Sequence, residues 1–127
     1  MELEKYLVLH PDGRMEWIHV DRRYILDAFC KAIGCEWLEH VTLPYGFCCV
    51  VDEVGKIRQD PKPVNPWASM FYPGTWHGDP LVGPVVFVRI GLVDGEYDWV
   101  PLIDRDLAMI NLATGLDIPD PDWILLK

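Results

Sequence analysis

The chain is poor in the features that mark most functional classes. No apolar run approaches the ~20 residues that cross a bilayer, so no membrane association is expected. The opening Met1-Glu2-Leu3-Glu4-Lys5 has neither a basic n-region nor an apolar h-region, and a cytoplasmic protein is expected. Positive charge is scarce: 11 Lys and Arg stand against 20 Asp and Glu, for a net charge of −9. A surface that reads phosphates wants the opposite sign, so direct nucleic-acid binding is not expected. There are four cysteines, Cys30, Cys35, Cys48 and Cys49, with no C-x-x-C spacing. That pattern suits neither a zinc knuckle nor a disulfide framework, and reduced thiols serving as small apolar residues are expected.

Histidine is as sparse as cysteine. His10, His19, His40 and His77 show no H-x-x-x-H or H-E-x-x-H spacing. His10 and His19 fall on strands expected to pair and to approach each other, but a structural zinc site normally needs four ligands. No metal and no cofactor is therefore expected. There is no G-x-S-x-G elbow and no P-loop. Nothing assembles a nucleophile, a base and oxyanion donors, so the reading is non-enzymatic.

What is present is a globular composition. Half of the 127 residues are apolar, and one domain over 1–127 is expected. Its clearest element is a helix over 21–34. Ile25, Ala28, Phe29, Ala32 and Ile33 make an apolar stripe at helical period, with Asp21 placed as N-cap and Gly34 at the turn beyond. Most other segments alternate as strands: Tyr6–His10, Met15–Val20 after a Pro11-Asp12-Gly13 turn, Cys35–Leu43, the wholly apolar Phe47–Val51, Val85–Val93, and Tyr97–Leu102 after Asp94-Gly95. A short second helix is expected over 104–113, capped by Asp104 and closed by Gly115, then an extended tail over 115–127. The fold class is α+β: a mostly antiparallel sheet of about five or six strands with one principal helix on one face.

Two stretches stand out as candidate sites. Residues 58–84 form a long proline-rich loop with Trp67, Phe71, Tyr72 and Trp76, read as ordered, with a helical turn near Pro66–Met70. Asn65, Trp67, Tyr72, Trp76, His77 and Asp79 combine flat apolar surface with polar tips, a mixture that anchors a protein partner or stacks on a base. Arg89, on an otherwise apolar strand, suits a phosphate or carboxylate. The competing reading is that the tryptophans plug the open face of the sheet and Arg89 pairs with a nearby acid. The other stretch is acidic: residues 94–127 hold eight acids against Arg105 and Lys127, which places −6 of the −9 in about a quarter of the chain. Asp94, Glu96, Asp98, Asp104 and Asp106 are its candidate partner surface, against the plainer reading of a solubilising face.

Several short signatures carry a family resemblance. They are Ala32-Ile33-Gly34-Cys35-Glu36-Trp37-Leu38-Glu39-His40-Val41, Val51-Asp52-Glu53-Val54-Gly55-Lys56-Ile57, and Pro63-Val64-Asn65-Pro66-Trp67-Ala68 followed by Gly78-Asp79-Pro80-Leu81-Val82-Gly83-Pro84-Val85-Val86. In this order they resemble a family of small proteins of unknown function carried by bacteriophages, plasmids and other mobile elements. The loop between Asn65 and Gly78 is longer and more aromatic than the family pattern, and the acidic tail lies outside it. The resemblance implies a phage or mobile-element accessory protein in the host cytoplasm, with no catalytic residue to carry over. The functional expectation is inhibition of a host defence system by contact with a host protein. The alternatives are an oligomeric sequestering protein for a small nucleotide signal, with Trp67, Trp76 and Arg89 in its pocket, and a small hydrolase or metal enzyme. Self-association would supply a second cover for the sheet if the loop and tail do not.

Overall fold

The computed structural model describes residues 2–120. Six strands make one antiparallel sheet: β1 Glu4–Leu9, β2 Met15–Val20, β3 Leu38–Thr42, β4 Cys48–Asp52, β5 Val85–Val93 and β6 Glu96–Val100. The order across the sheet is β2-β1-β5-β4-β3, with β6 paired to the outer half of β5. β5 is the spine. Its first half pairs with β1 through Val8↔Val86 and with β4 through Cys49↔Phe87, and its second half pairs with β6 through Ile90↔Trp99. The fold is α+β, as the sequence pattern indicates.

The expected helix is present in two parts. Asp21 accepts a hydrogen bond from the Arg23 amide and opens a 3₁₀ turn, Arg22–Tyr24, which runs into α1, Ile25–Ile33. Gly34 ends it in the left-handed region at φ 76°. Ile25, Phe29 and Ile33 are buried against Tyr6, Val8, Val20, Val50, Val86 and Val88, so α1 covers one face of the sheet. Phe29 lies edge-on to Tyr6 and stacks on Trp99.

The opposite face is covered from within the chain. Leu7, Leu9, Cys49, Val51, Val85 and Phe87 pack there under Ala68, Phe71 and Leu81 of the long loop and under Ile110. The loop carries a short helix, α2 Pro66–Ser69, and a 3₁₀ turn, Pro73–His77. Ile110 belongs to α3, Asp104–Thr114, which ends at Gly115 with φ 72°. β4 lies between β5 and β3, and the apolar run Phe47–Val51 is buried throughout, as its lack of alternation implies; Asp52 at the strand's end is buried too.

Four expectations are corrected. Residues 35–37 are not strand: they complete the turn out of α1, and Trp37 is 62% exposed. His10 and His19 do not meet. His19 pairs opposite Lys5, whereas His10 lies past Leu9 at the other end of the hairpin and contacts Glu16 at 3.0 Å. The cap of α3 is Ile103, not Asp104; its amide is satisfied by Asp106, which reaches back at 3.1 Å. Asp106 itself is not surface: it is 1% exposed, drawn inward by Arg89. The part of the expected tail over 121–127 lies outside the described residues.

Candidate functional site

The long loop is fastened by polar side chains whose groups all point inward. Asn65 is fully buried. Its Nδ2 donates to the Leu9 carbonyl at 3.0 Å and the Gly83 carbonyl at 2.9 Å, and its Oδ1 accepts from the Ala68 amide at 3.0 Å. It thus ties β1 to both ends of the loop and caps α2 at once. Ser69 Oγ donates to the Asn65 carbonyl at 2.6 Å and accepts from the Leu81 amide at 3.0 Å. A bridge between Val64 and Val82 closes the neck of the loop. An excursion this long stays ordered because its buried backbone groups find partners.

Above this neck the loop builds an aromatic groove of about 500 Å³, lined by Tyr45, Met70, Phe71, Tyr72, Pro73, Trp76 and His77. Its floor is rigid. Phe71 meets Tyr45, Phe47 and Phe87 edge-to-face at 5.7, 5.7 and 6.0 Å between ring centres. Tyr72 folds back over Gly74 so closely that a Cβ there would strike the ring. Thr75 Oγ1 donates to the Ser69 carbonyl at 2.8 Å and fixes the 3₁₀ turn that presents Trp76. Trp76 is 87% exposed. A pinned turn that holds a tryptophan in water is the opposite of the usual fate of that side chain.

The sequence-nominated residues divide into three groups. Tyr72, Trp76 and His77 share the groove. Asp79 stands beside it, ion-paired to Lys56, whose ammonium lies 6.0 Å from the Tyr72 ring centre. Asn65 and Trp67 belong to the loop's fastening: Trp67 packs on the core, and a Cβ at Gly13 would fall 3.0 Å from its Nε1. Arg89 is elsewhere. Its Nε and Nη2 donate to Asp106 at 2.5 and 3.1 Å, a two-pronged pair that raises the Arg89 pKa further. A pocket formed jointly by Trp67, Trp76 and Arg89 is not assembled.

Tyr45 and Met70 are groove residues that sequence reasoning missed. Tyr45 sits in the Pro44-Tyr45-Gly46 turn, and an aromatic at the tip of a tight turn was the available signal. Of the acidic set, Asp94, Glu96, Asp98 and Asp104 are exposed. Asp94 and Gly95 form the β5–β6 turn with φ 51° and 84°, and Asp98 pairs with Arg22 at 3.1 Å.

A larger groove, about 650 Å³, opens between Glu2–Lys5, Trp17, Pro101, Leu102 and Leu107. None of the nominated loop residues reaches it, and the Trp17 indole donates to the Pro119 carbonyl nearby at 2.5 Å. Among the described residues, no three His, Cys, Asp or Glu side chains are placed to hold a metal ion. No helix of the described residues is long and apolar enough to cross a membrane.

Fold and groove together define a small α+β domain: a six-stranded antiparallel sheet, one principal helix on one face, and a polar-fastened aromatic loop on the other. A family model described as a domain of unknown function, DUF3846, matches residues 4–111, and the chain belongs to that family. No curated protein matches the chain. Among solved structures, the crystal structure of the small RNA methyltransferase HEN1 is similar, with a TM-score of 0.60 and 12% identity. The match covers 86% of this chain but 16% of that one, so the likeness is one of fold alone.

Proposed function

We propose that the chain is a non-enzymatic binding protein that docks a partner protein on the groove of Tyr45, Met70, Tyr72, Pro73, Trp76 and His77. The observation that carries this reading is Trp76, held exposed at the rim of an apolar groove by a turn that Thr75 pins to the Ser69 carbonyl. Tryptophan, tyrosine and methionine around a preformed hollow are the side chains that concentrate binding energy at protein interfaces. The role proposed for this binding is that of a phage or mobile-element accessory protein that inhibits a component of host defence. Support for that setting is the resemblance of the three signature stretches. Asp94, Glu96, Asp98 and Asp104 would steer a basic partner toward the domain.

The nucleotide-sequestering reading has less support, because Arg89, its intended cation, is committed to Asp106. The HEN1 likeness gives no reason to expect methyl transfer, since it is confined to a small part of that enzyme.

Affinity capture from lysate of a host of such elements, with wild type and Trp76→Ala, tests the reading. A partner retained by wild type and lost with Trp76→Ala is expected, while Asp94→Asn with Glu96→Gln slows association without abolishing it. Equal capture by both Trp76 forms rejects the groove. A thermal-shift panel of cyclic and linear nucleotides separates the alternative, and stabilisation abolished by Trp76→Ala would favour it.

A further inference from the structure

Two half-buried cysteines meet at the C-terminal end of α1, remote from the chemistry considered so far. Gly34 turns the chain back, and the Gly34 and Cys35 amides both donate to the Cys30 carbonyl, at 2.8 and 3.0 Å. The second of these is the six-to-one bond of a common helix-ending motif. That motif brings the residue near the helix end against the residue just past the cap, and the contact is ordinarily made by two apolar side chains. Here both side chains are thiols, and Cys30 Sγ donates to the Glu36 carbonyl at 3.8 Å, toward the turn that carries Cys35. A disulfide needs Cα atoms about 4.4–6.8 Å apart and side chains aimed at each other. A direct backbone hydrogen bond between the same two residues, at 3.0 Å, holds their Cα atoms within that reach, and the Cys30 thiol is close enough to act on the Cys35 proton.

We infer that Cys30 and Cys35 form a reversible dithiol–disulfide couple, a modification site for low-molecular-weight disulfides such as oxidised glutathione. One protein thiolate attacks a sulfur of glutathione disulfide, breaks its S–S bond and releases one glutathione thiolate. The second protein thiolate attacks the mixed disulfide and displaces the other glutathione. One S–S bond is exchanged for another, and the two protons shed by the protein are taken up by two glutathione thiolates. The two electrons lost by the protein reduce the glutathione disulfide.

The other two cysteines are a contrast. Cys48 and Cys49 are buried and belong to opposite faces of β4, so neither meets a small disulfide. Burial, then Cys30 and Asp52, push the Cys35 thiol up to about 11. Exchange is therefore slow near neutral pH and quickens as pH rises, since the thiolate is the attacking species. The inference is independent of the proposed groove, which lies on the other cover of the sheet.

The test is to equilibrate the folded full chain with mixtures of oxidised and reduced glutathione, quench with acid, and measure intact mass with non-reducing peptide mapping. Wild type is expected to lose two hydrogens and yield a peptide linked between Cys30 and Cys35. Cys30→Ser and Cys35→Ser should each instead retain one bound glutathione. A wild type that keeps glutathione without losing two hydrogens, or links through Cys48 or Cys49, overturns the inference. As a second measurement that needs no variant, a trivalent arsenical that bridges paired thiols should bind wild type at Cys30 and Cys35. Absence of that adduct, with each thiol still reacting singly with a maleimide, also overturns it.

Discussion

The two faces of the sheet are covered by different physics. On one, α1 lays a regular apolar stripe, Ile25, Phe29 and Ile33, across Tyr6, Val8, Val50 and Val86. Between its ends the helix backbone satisfies itself, so along its length the cover needs little beyond side-chain spacing. On the other, the loop over 58–84 has little regular structure, and its backbone must find partners one bond at a time. Asn65 and Ser69 supply them. A helix that covers a sheet this way presents its polar side to water. The loop, fixed by its polar groups facing inward, is left free to present aromatic side chains outward. The groove is a by-product of that inversion, and Trp76 is its clearest mark.

Substitutions in the two covers sharpen the contrast. Phe29→Ala, emptying a fully buried ring site between Tyr6 and Trp99, should cost about 3–5 kcal/mol in urea unfolding, with the unfolding slope unchanged. Asn65→Ala removes almost no apolar area yet strands two carbonyls and an amide. A loss of about 2–4 kcal/mol is expected, and early proteolysis within 58–84. A loss under 1 kcal/mol there would mean that the loop is held by its aromatics and the contrast fails. Trp76→Ala should change stability by no more than about 0.5 kcal/mol while removing partner capture. The smallest effect belongs to Glu16, on the hairpin away from both covers. The hydrogen bond from His10, more than Arg14, holds its carboxyl below the usual glutamate range. That contribution is fully present above the ordinary glutamate pKa and is lost as pH falls through the lowered one. Glu16→Gln should therefore lower stability slightly at neutral pH, converge on wild type below the lowered pKa, and so flatten the acid limb of a stability–pH curve.

Legibility in the sequence followed the same division. The period of α1, the alternation of Val85–Val93 and the Asp94-Gly95 turn each reflect a local rule that burial reinforces, and each appears where expected. The start of β3 was misjudged because Cys35-Glu36-Trp37 alternates as a strand does, while the Gly34 turn uses those residues to leave the helix. Asp106 was misplaced because an acid at the start of a helix looks the same whether it faces water or a buried arginine. Only the register that sets Arg89 above it distinguishes the two. For the groove, composition gave the aromatics of one loop but not Tyr45, which arrives from a different turn. Asn65 was nominated as a partner-binding residue because nothing local says that its partners are the carbonyls of Leu9 and Gly83.

The two covers nonetheless meet at one side chain. Lys62, from the start of the long loop, donates to the Ile33 and Gly34 carbonyls at 2.5 and 2.9 Å and lies 3.3 Å from the buried carboxylate of Asp52. The ammonium thus occupies the negative end of α1. In terms of cooperativity, shedding the helix would loosen the root of the loop, and the two are expected to open as a single unit. Hydrogen exchange should show the amides of Ile33 and Phe71 sharing one opening free energy, and Lys62→Met should split it into two.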